Sequence, residues 1–100
     1  MTSQRAQKQS YIQQLKRHRR AWQRKESVRL VYRRWFDMIV QELSGQEPTI
    51  ELGCGCGQFK EFYPRARATD VLDSPWCEEV VDARRLPYQD SSVGNYVLID

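Results

Sequence analysis

The stretch Pro48-Thr49-Ile50-Glu51-Leu52-Gly53-Cys54-Gly55-Cys56-Gly57 decides the fold of this 100-residue chain. Residues 49–52 form a short β-prone run, and glycine then recurs at every second position. Glycines at this spacing interrupt regular structure and let the bare backbone approach a ligand. The stretch therefore predicts a strand that runs into a ligand-binding loop, followed by a helix near Gln58 whose first N–H groups face the ligand.

The spacing of the glycines narrows the class of ligand. The dinucleotide fingerprint G-x-G-x-x-G needs a third glycine where Gln58 stands, and a phosphate-binding loop needs a Gly-Lys-Ser/Thr sequence that this stretch lacks. Glu51 stands at the end of the strand, where a carboxylate repels a pyrophosphate but attracts an ammonium or sulfonium group. The pattern E-x-G-x-G-x-G thus indicates a cationic ligand. It disfavours an NAD(P)-linked oxidoreductase, which we keep only as a minor alternative.

These residues resemble motif I of the class I S-adenosylmethionine-dependent methyltransferases, and the resemblance covers residues 48–100. Three later segments match the family in the same order: Asp70 with Val71 after a second strand, Asp82 with Ala83 after a third, and Leu86-Pro87-Tyr88 with Asp90 and Ser92 before a fourth. The glycines alone are a weak signal. The ordered series of four features is a specific one.

The resemblance implies an α/β fold with a partial Rossmann-like sheet of strand order 3-2-1-4, preceded by N-terminal helices. It implies S-adenosyl-L-methionine as the cofactor and methyl transfer to an acceptor that we expect to be a small molecule. Glu51 would face the methionine part, Asp70 the ribose hydroxyls, and Asp82 with Ala83 the adenine. The cofactor-binding candidates are Glu51, Gly53, Cys54, Gly55, Gly57, Asp70, Val71, Asp82, Ala83 and Asp100.

Three alternatives remain open for the acidic candidates. Asp70 could be an ordinary turn acid after a strand, and Asp73 lies close enough in sequence to take its place. Asp82 could cap the turn that follows it, because Asp is favoured at caps. The sequence identifies no catalytic residue.

The length of the chain limits what this domain can contain. One hundred residues are few for a doubly wound sheet with helices on both faces. The sequence also stops at Asp100, directly after the apolar run Tyr96-Val97-Leu98-Ile99, which is typical of a buried parallel strand. We therefore expect an inactive N-terminal part of a longer methyltransferase, with residues 27–100 as the start of its domain. A complete 100-residue protein is the alternative.

The charge is divided unevenly along the chain. Residues 1–34 carry eleven basic side chains and one acidic one, a net charge of +10, whereas residues 35–100 carry five basic and twelve acidic ones, a net charge of −7. Such a division indicates two segments with different roles. We expect residues 1–26 to form a basic, solvated helical extension. Nucleic-acid binding is the sharper alternative, with stacking on Tyr11 or Trp22, on a degenerate, non-catalytic methyltransferase scaffold.

The remaining composition excludes several classes of protein. No apolar run approaches the ~18 residues of a membrane span, and no signal peptide is evident, so we expect a cytoplasmic protein. Cys54 and Cys56 are too close for an unstrained disulfide. Neither they nor Cys77 has the C-x-x-C spacing or the nearby histidine of a zinc site. We expect all three to be small packing residues, with no metal bound.

The rest of the pattern predicts the secondary structure. Residues 4–26 lack Gly and Pro and predict a helix with a thin apolar stripe of Tyr11, Leu15 and Trp22. A second helix is predicted from Ser27 as N-cap to Gly45 as C′. Its sheet-facing residues would be Val28, Val31, Tyr32, Trp35, Ile39 and Leu43. Further predictions are a short helix over 58–63 and strands at 49–52, 66–71, 80–81 and 95–99, with a loop over 72–79.

Overall fold

The computed structural model describes residues 3–99, in which three helices and four strands are found. The elements in chain order are α1 (Gln4–Arg24), α2 (Glu26–Glu42), β1 (Thr49–Leu52), α3 (Gln58–Phe62), β2 (Ala66–Asp70), β3 (Glu79–Val80) and β4 (Asn95–Leu98). The strands form one parallel sheet in the order β3-β2-β1-β4, which confirms the predicted strand order.

The two long helices meet at a sharp turn that the sequence placed two residues too late. Ser3 caps α1 by accepting a hydrogen bond from the Ala6 N–H at 3.1 Å. Helix α1 ends at Arg24, and the Arg29 guanidinium donates to the carbonyls of Trp22 and Gln23, at 2.6 Å each. These bonds satisfy C-terminal carbonyls of α1 that have no partner inside the helix.

Both predicted caps of α2 are wrong. Lys25 occupies the N-cap position, so Ser27 lies inside the helix. At the other end Leu43 already has extended backbone, which places Gly45 beyond the C′ position. Asn95 fixes this end instead. Its side chain accepts from the Ser44 N–H at 2.8 Å and donates to the Gln46 carbonyl at 3.0 Å, which ties the end of α2 to the start of β4.

Four of the six predicted sheet-facing residues of α2 pack against the core, namely Val28, Tyr32, Ile39 and Leu43, and the other two do not. Phe36 is 2% exposed, whereas Trp35 is 51% and Val31 is 47% exposed. The core that results contains Trp22, Phe36, Phe59, Ala66 and Val97. Helices α2 and α3 therefore cover one face of the sheet.

The other face of the sheet is more open. Tyr96 is 45% exposed and Leu98 is 74% exposed, on an edge strand that was expected to be buried. β3 lies one residue earlier than predicted, and the Val81 N–H donates to the Asp70 carbonyl at 2.8 Å. The segment 71–78 contains no helix, as expected. Within residues 3–99 no helix is both long and apolar enough to cross a bilayer.

Candidate functional site

The carboxyl ends of β1 and β2 bring the glycine loop next to Asp70. The two strands are parallel neighbours, with Leu52 paired to Thr69. Beyond the last pair, the Cys54 N–H donates to the Thr69 carbonyl at 2.8 Å, and the Gly55 N–H donates to the Asp70 carboxylate at 3.2 Å. Residues that are fifteen positions apart in sequence therefore form one polar edge, which is the usual ligand-binding edge of a parallel sheet.

Glu51 is the most unusual group at this edge. It is 3% exposed, and its Oε1 atom has no hydrogen-bond partner among the residues that the structure describes. Burial, with a smaller contribution from the negative charge of Asp70, raises the pKa of the Glu51 carboxyl to about 7. An ionised carboxylate at this position is costly to bury without a partner.

A small cavity lies next to Glu51. Its volume is about 170 Å³, and its lining consists of Tyr32, Phe36, Glu51, Gly53, Cys54, Gly55, Gln58, Phe59 and Ile99. Ligand pockets commonly measure ~300–1,000 Å³, so this cavity holds only part of a nucleoside-sized ligand. Tyr32 was expected to be a core residue without a ligand contact. Its place in this lining depends on how α2 packs, which the sequence does not indicate.

The three loop glycines have two different roles. All three have positive φ angles, 77° at Gly53, 56° at Gly55 and 79° at Gly57. A Cβ atom at Gly53 would meet nothing within 4 Å, and one at Gly55 would meet only Gln58 Oε1 at 3.9 Å. A Cβ at Gly57 would press on the Trp76 ring at 3.2 Å. The first two glycines thus border open space, and the third allows close packing.

The helix after the loop contributes less than the sequence predicted. α3 has only five residues, Gln58–Phe62, and Gly57 precedes it in left-handed conformation. The helix dipole is a sum over aligned peptide groups, so five residues give a weak one. The main polar groups of the site are therefore the loop backbone and the carboxylates of Glu51 and Asp70.

Asp70 is 5% exposed and accepts three hydrogen bonds. The donors are the Tyr11 hydroxyl at 2.8 Å, the Gly55 N–H at 3.2 Å and the backbone N–H of the next residue, Val71, at 2.8 Å. Burial raises the pKa of the Tyr11 phenol well above its usual range, and the hydrogen bond to Asp70 raises it further. Asp70 therefore does more than an ordinary turn acid, because it joins α1 to the loop.

Helix α1 lies over this edge through the predicted apolar stripe, while most of its other side chains are exposed. Leu15 and Trp22 are buried, and Trp22 Nε1 donates to Glu61 at 3.0 Å. Arg19 donates to the Cys56 carbonyl at 3.2 Å and pairs with Glu61 at 3.2 Å. Little ring surface is left for the stacking of bases, because Trp22 is 7% exposed and Tyr11 is only partly exposed.

Two predicted cofactor residues, Asp82 and Ala83, lie outside the cavity next to Glu51. The Asp82 carboxylate accepts from the Arg84 N–H at 2.9 Å and pairs with the Arg84 guanidinium at 2.8 Å, and these contacts lower the pKa of Asp82 to about 2. The contacts agree with the turn-capping alternative. Asp82 lines a separate cavity of about 470 Å³ with Arg84 and Arg85, and Ala83 is exposed beside it. Their contact with adenine stays a prediction.

The remaining predicted cofactor residues are Val71, Asp100 and Cys54. Val71 is 54% exposed directly after Asp70. Asp100 lies outside the described residues. Cys54 and Cys56 are 3% and 1% exposed, and burial raises the pKa of both thiols. Protonated, buried thiols are poor nucleophiles and poor metal ligands. Residues 3–99 contain no group of three or more His, Cys, Asp or Glu side chains that could hold a metal ion.

Comparison of the chain with protein-family models, curated proteins and solved structures found no match.

Proposed function

We propose that the chain binds S-adenosyl-L-methionine at the carboxyl ends of β1 and β2, as the cofactor-binding part of a class I methyltransferase on a Rossmann-like sheet. The observation that carries the proposal is the buried oxygen of Glu51, which has no partner within the described chain. Removing a carboxylate from water costs several kcal/mol unless a cation or a donor compensates for it. The ammonium group of the methionine part would supply that compensation.

The open space above the loop supports the same ligand. Gly53 and Gly55 leave room where any side chain would stand, so the backbone can approach the ligand closely. The cavity beside them is large enough for the amino-acid end of the cofactor only. The adenosyl part would extend from there along Asp70, towards the surface now covered by α1.

Asp70 can bind both ribose hydroxyls only if it gives up one of its present hydrogen bonds. An ionised carboxylate has about four acceptor sites, and three of them are used here. One free site remains for two ribose hydroxyls. We therefore infer that Tyr11 releases Asp70 when the ribose binds.

The chemistry divides between the cofactor and the chain. When bound, S-adenosylmethionine supplies a methyl group that its sulfonium already activates. The task left to the chain is to hold donor and acceptor in line and to exclude water. Glu51 would orient the amino-acid end, the loop backbone would fix the middle, and Phe36 with Phe59 would keep water away from it. We propose a small-molecule acceptor and a cytoplasmic location.

An NAD(P)-linked oxidoreductase fits the site less well. The pyrophosphate would lie next to two buried acids, Glu51 and Asp70, without a basic side chain in the lining of the cavity. The third glycine of the dinucleotide fingerprint is replaced by Gln58. The like charges make this ligand unfavourable.

Calorimetry on the 100-residue chain distinguishes these ligands. We expect saturable binding of S-adenosylhomocysteine and none of NADH. Gly55→Val should abolish binding, because the new side chain fills the ligand space and a β-branched residue is strained at the φ angle of 56° found there. The far-ultraviolet circular dichroism should stay unchanged. Gly45→Val is the matched control, since a Cβ at Gly45 meets nothing within 4 Å. NADH binding, or an unchanged affinity in Gly55→Val, would refute the assignment.

A further inference from the structure

The solvent side of α1 carries a row of cations that the cofactor site does not use. Lys16, Arg20 and Arg24 follow one another at intervals of four residues, and Arg17 lies beside the row. All four side chains are exposed. The ion pairs of residues 3–99 involve Lys8 and Arg19 of this helix but none of these four.

The inner side of α1 is fully engaged with the domain. Leu15 and Trp22 are buried, and Tyr11 donates to Asp70. This contact fixes the orientation of the helix, so the cation row must point away from the domain. The first exposed large apolar side chain after it is Leu30, on α2.

The composition of the outer side selects the kind of partner. Helices that bind in a membrane interface insert an apolar face, and α1 has already used its own. Single-stranded nucleic acid is held by stacking on exposed aromatic rings, and the outer side of α1 offers none. Phosphate contacts need only Arg and Lys on a regular surface, which is what remains here.

The spacing of the row also fits a polyanion. Neighbours at i and i+4 stand roughly 5–6 Å apart, and like charges at that distance destabilise a helix. A partner with closely spaced phosphates removes this repulsion. The net charge of −7 on residues 35–100 repels the same partner from the rest of the chain, which favours approach through α1.

We propose that the face of α1 formed by Lys16, Arg17, Arg20 and Arg24 is a docking surface for duplex nucleic acid, bound through its phosphates without reading the bases. Tyr11 and Trp22 play no part in this contact. The proposal goes beyond cofactor binding and does not depend on it, because the two surfaces lie on opposite sides of α1.

The test measures binding of the chain to a fluorescently labelled 20-base-pair DNA duplex of arbitrary sequence at several salt concentrations. Four phosphate contacts predict a slope of about −3.6 in log K against log salt, or roughly 150-fold weaker binding at 200 mM than at 50 mM salt. Arg20→Gln with Arg24→Gln should reduce the magnitude of the slope by about 1.8. Gln is a good helix former, and circular dichroism checks that α1 persists.

A matched variant controls for net charge alone. Arg65→Gln with Arg67→Gln removes the same number of positive charges from exposed positions near and on β2, and it should leave the slope unchanged. The proposal is overturned if the duplex does not bind at 50 mM salt, or if the two double variants lose affinity equally. Tighter binding to the single strand, or to vesicles with anionic lipid, overturns it as well.

Discussion

The Tyr11 hydroxyl donates a hydrogen bond to the Asp70 carboxylate at 2.8 Å, across 59 positions of sequence. This bond joins the first helix to the end of the second strand, at the point where the proposed ribose would bind. The Gly55 N–H donates to the same carboxylate oxygen, Oδ2. Helix α1 and the proposed cofactor would therefore compete for one acceptor.

Removing the Tyr11 hydroxyl should tighten cofactor binding. In Tyr11→Phe the ribose no longer has to replace a hydrogen bond worth about 0.5–1.5 kcal/mol, so the affinity for S-adenosylhomocysteine should rise by up to roughly tenfold in calorimetry. Tyr63→Phe is the control, because the Tyr63 hydroxyl donates to Glu47, at 3.4 Å, and not to Asp70. Weaker binding in Tyr11→Phe would mean that Tyr11 holds the cofactor itself.

Asp70, at the end of β2, and Asp73, in the loop after it, should differ strongly in their effect on binding. Asp70→Asn keeps the shape of the side chain but removes its charge, so it should weaken binding by about 1.5–3 kcal/mol, the value of hydrogen bonds to a charged group. Asp73→Asn should have little effect, since Asp73 is exposed and its ion pair within residues 3–99 is a long one, 3.9 Å to Lys8. The same calorimetric titration ranks them. A larger loss in Asp73→Asn would show that the wrong acid was chosen.

One glycine outside the loop should control stability. A Cβ at Gly94 would lie 1.8 Å from the Gln46 carbonyl oxygen, whereas one at Gly45 would meet nothing within 4 Å. Gly94→Ala should therefore lower the free energy of unfolding by about 1–3 kcal/mol, the cost of overpacking, and Gly45→Ala should not. Urea unfolding measures both. Equal stabilities would mean that β4 does not pack against residue 46 as described.

The sequence predicted the strands of the sheet well because the sequence signals for a strand are local. Glycines, β-prone runs and polar strand ends lie within a few residues of one another, so the strand at residues 49–52 came out as expected. The strand order, which the structure confirms, had been predicted from the family resemblance. The two acids at the strand ends were predicted by the same reasoning. Asp70 and Glu51 do lie at the carboxyl ends of neighbouring strands.

The packing of the helices could not be predicted in the same way. Phe36 and Trp35 are adjacent apolar residues, and Phe36 is the buried one because it packs against Phe59 of α3 and Trp22 of α1. Tyr11 looked like one residue of a thin stripe, and its bond to Asp70 depends on a contact 59 positions away. The sequence allowed Asp82 to be either a cofactor residue or a turn cap, and its hydrogen bond from Arg84 favours the cap.

Glu51 should make the stability of the protein depend on pH. Its pKa is about 7 in the folded chain against 4.5 as the ordinary value, so the folded state binds the proton more tightly. Stability should then fall between pH 4.5 and 7 by roughly 3 kcal/mol, since each pKa unit is about 1.4 kcal/mol, and stay level above that range.

Glu51→Gln should remove this dependence on pH. The variant should match the wild type near pH 4.5 and be more stable at pH 8, by up to about 3 kcal/mol in urea unfolding. Glu42→Gln, at an exposed position at the end of α2, should show no such pH-dependent difference. A wild type whose stability does not fall over this range would show that Glu51 has a partner or is solvated.

The most direct test of the cofactor site compares two ligands on Glu51→Gln by calorimetry at pH 8. S-Adenosylhomocysteine carries an ammonium group, and 5′-methylthioadenosine has the same adenosyl thioether without it. Loss of a buried charge pair costs at least about 2 kcal/mol, so Glu51→Gln should weaken S-adenosylhomocysteine binding by roughly thirtyfold or more and leave methylthioadenosine binding unchanged. Equal affinities of wild type and variant for S-adenosylhomocysteine, or equal losses for both ligands, would contradict a cationic ligand group at Glu51.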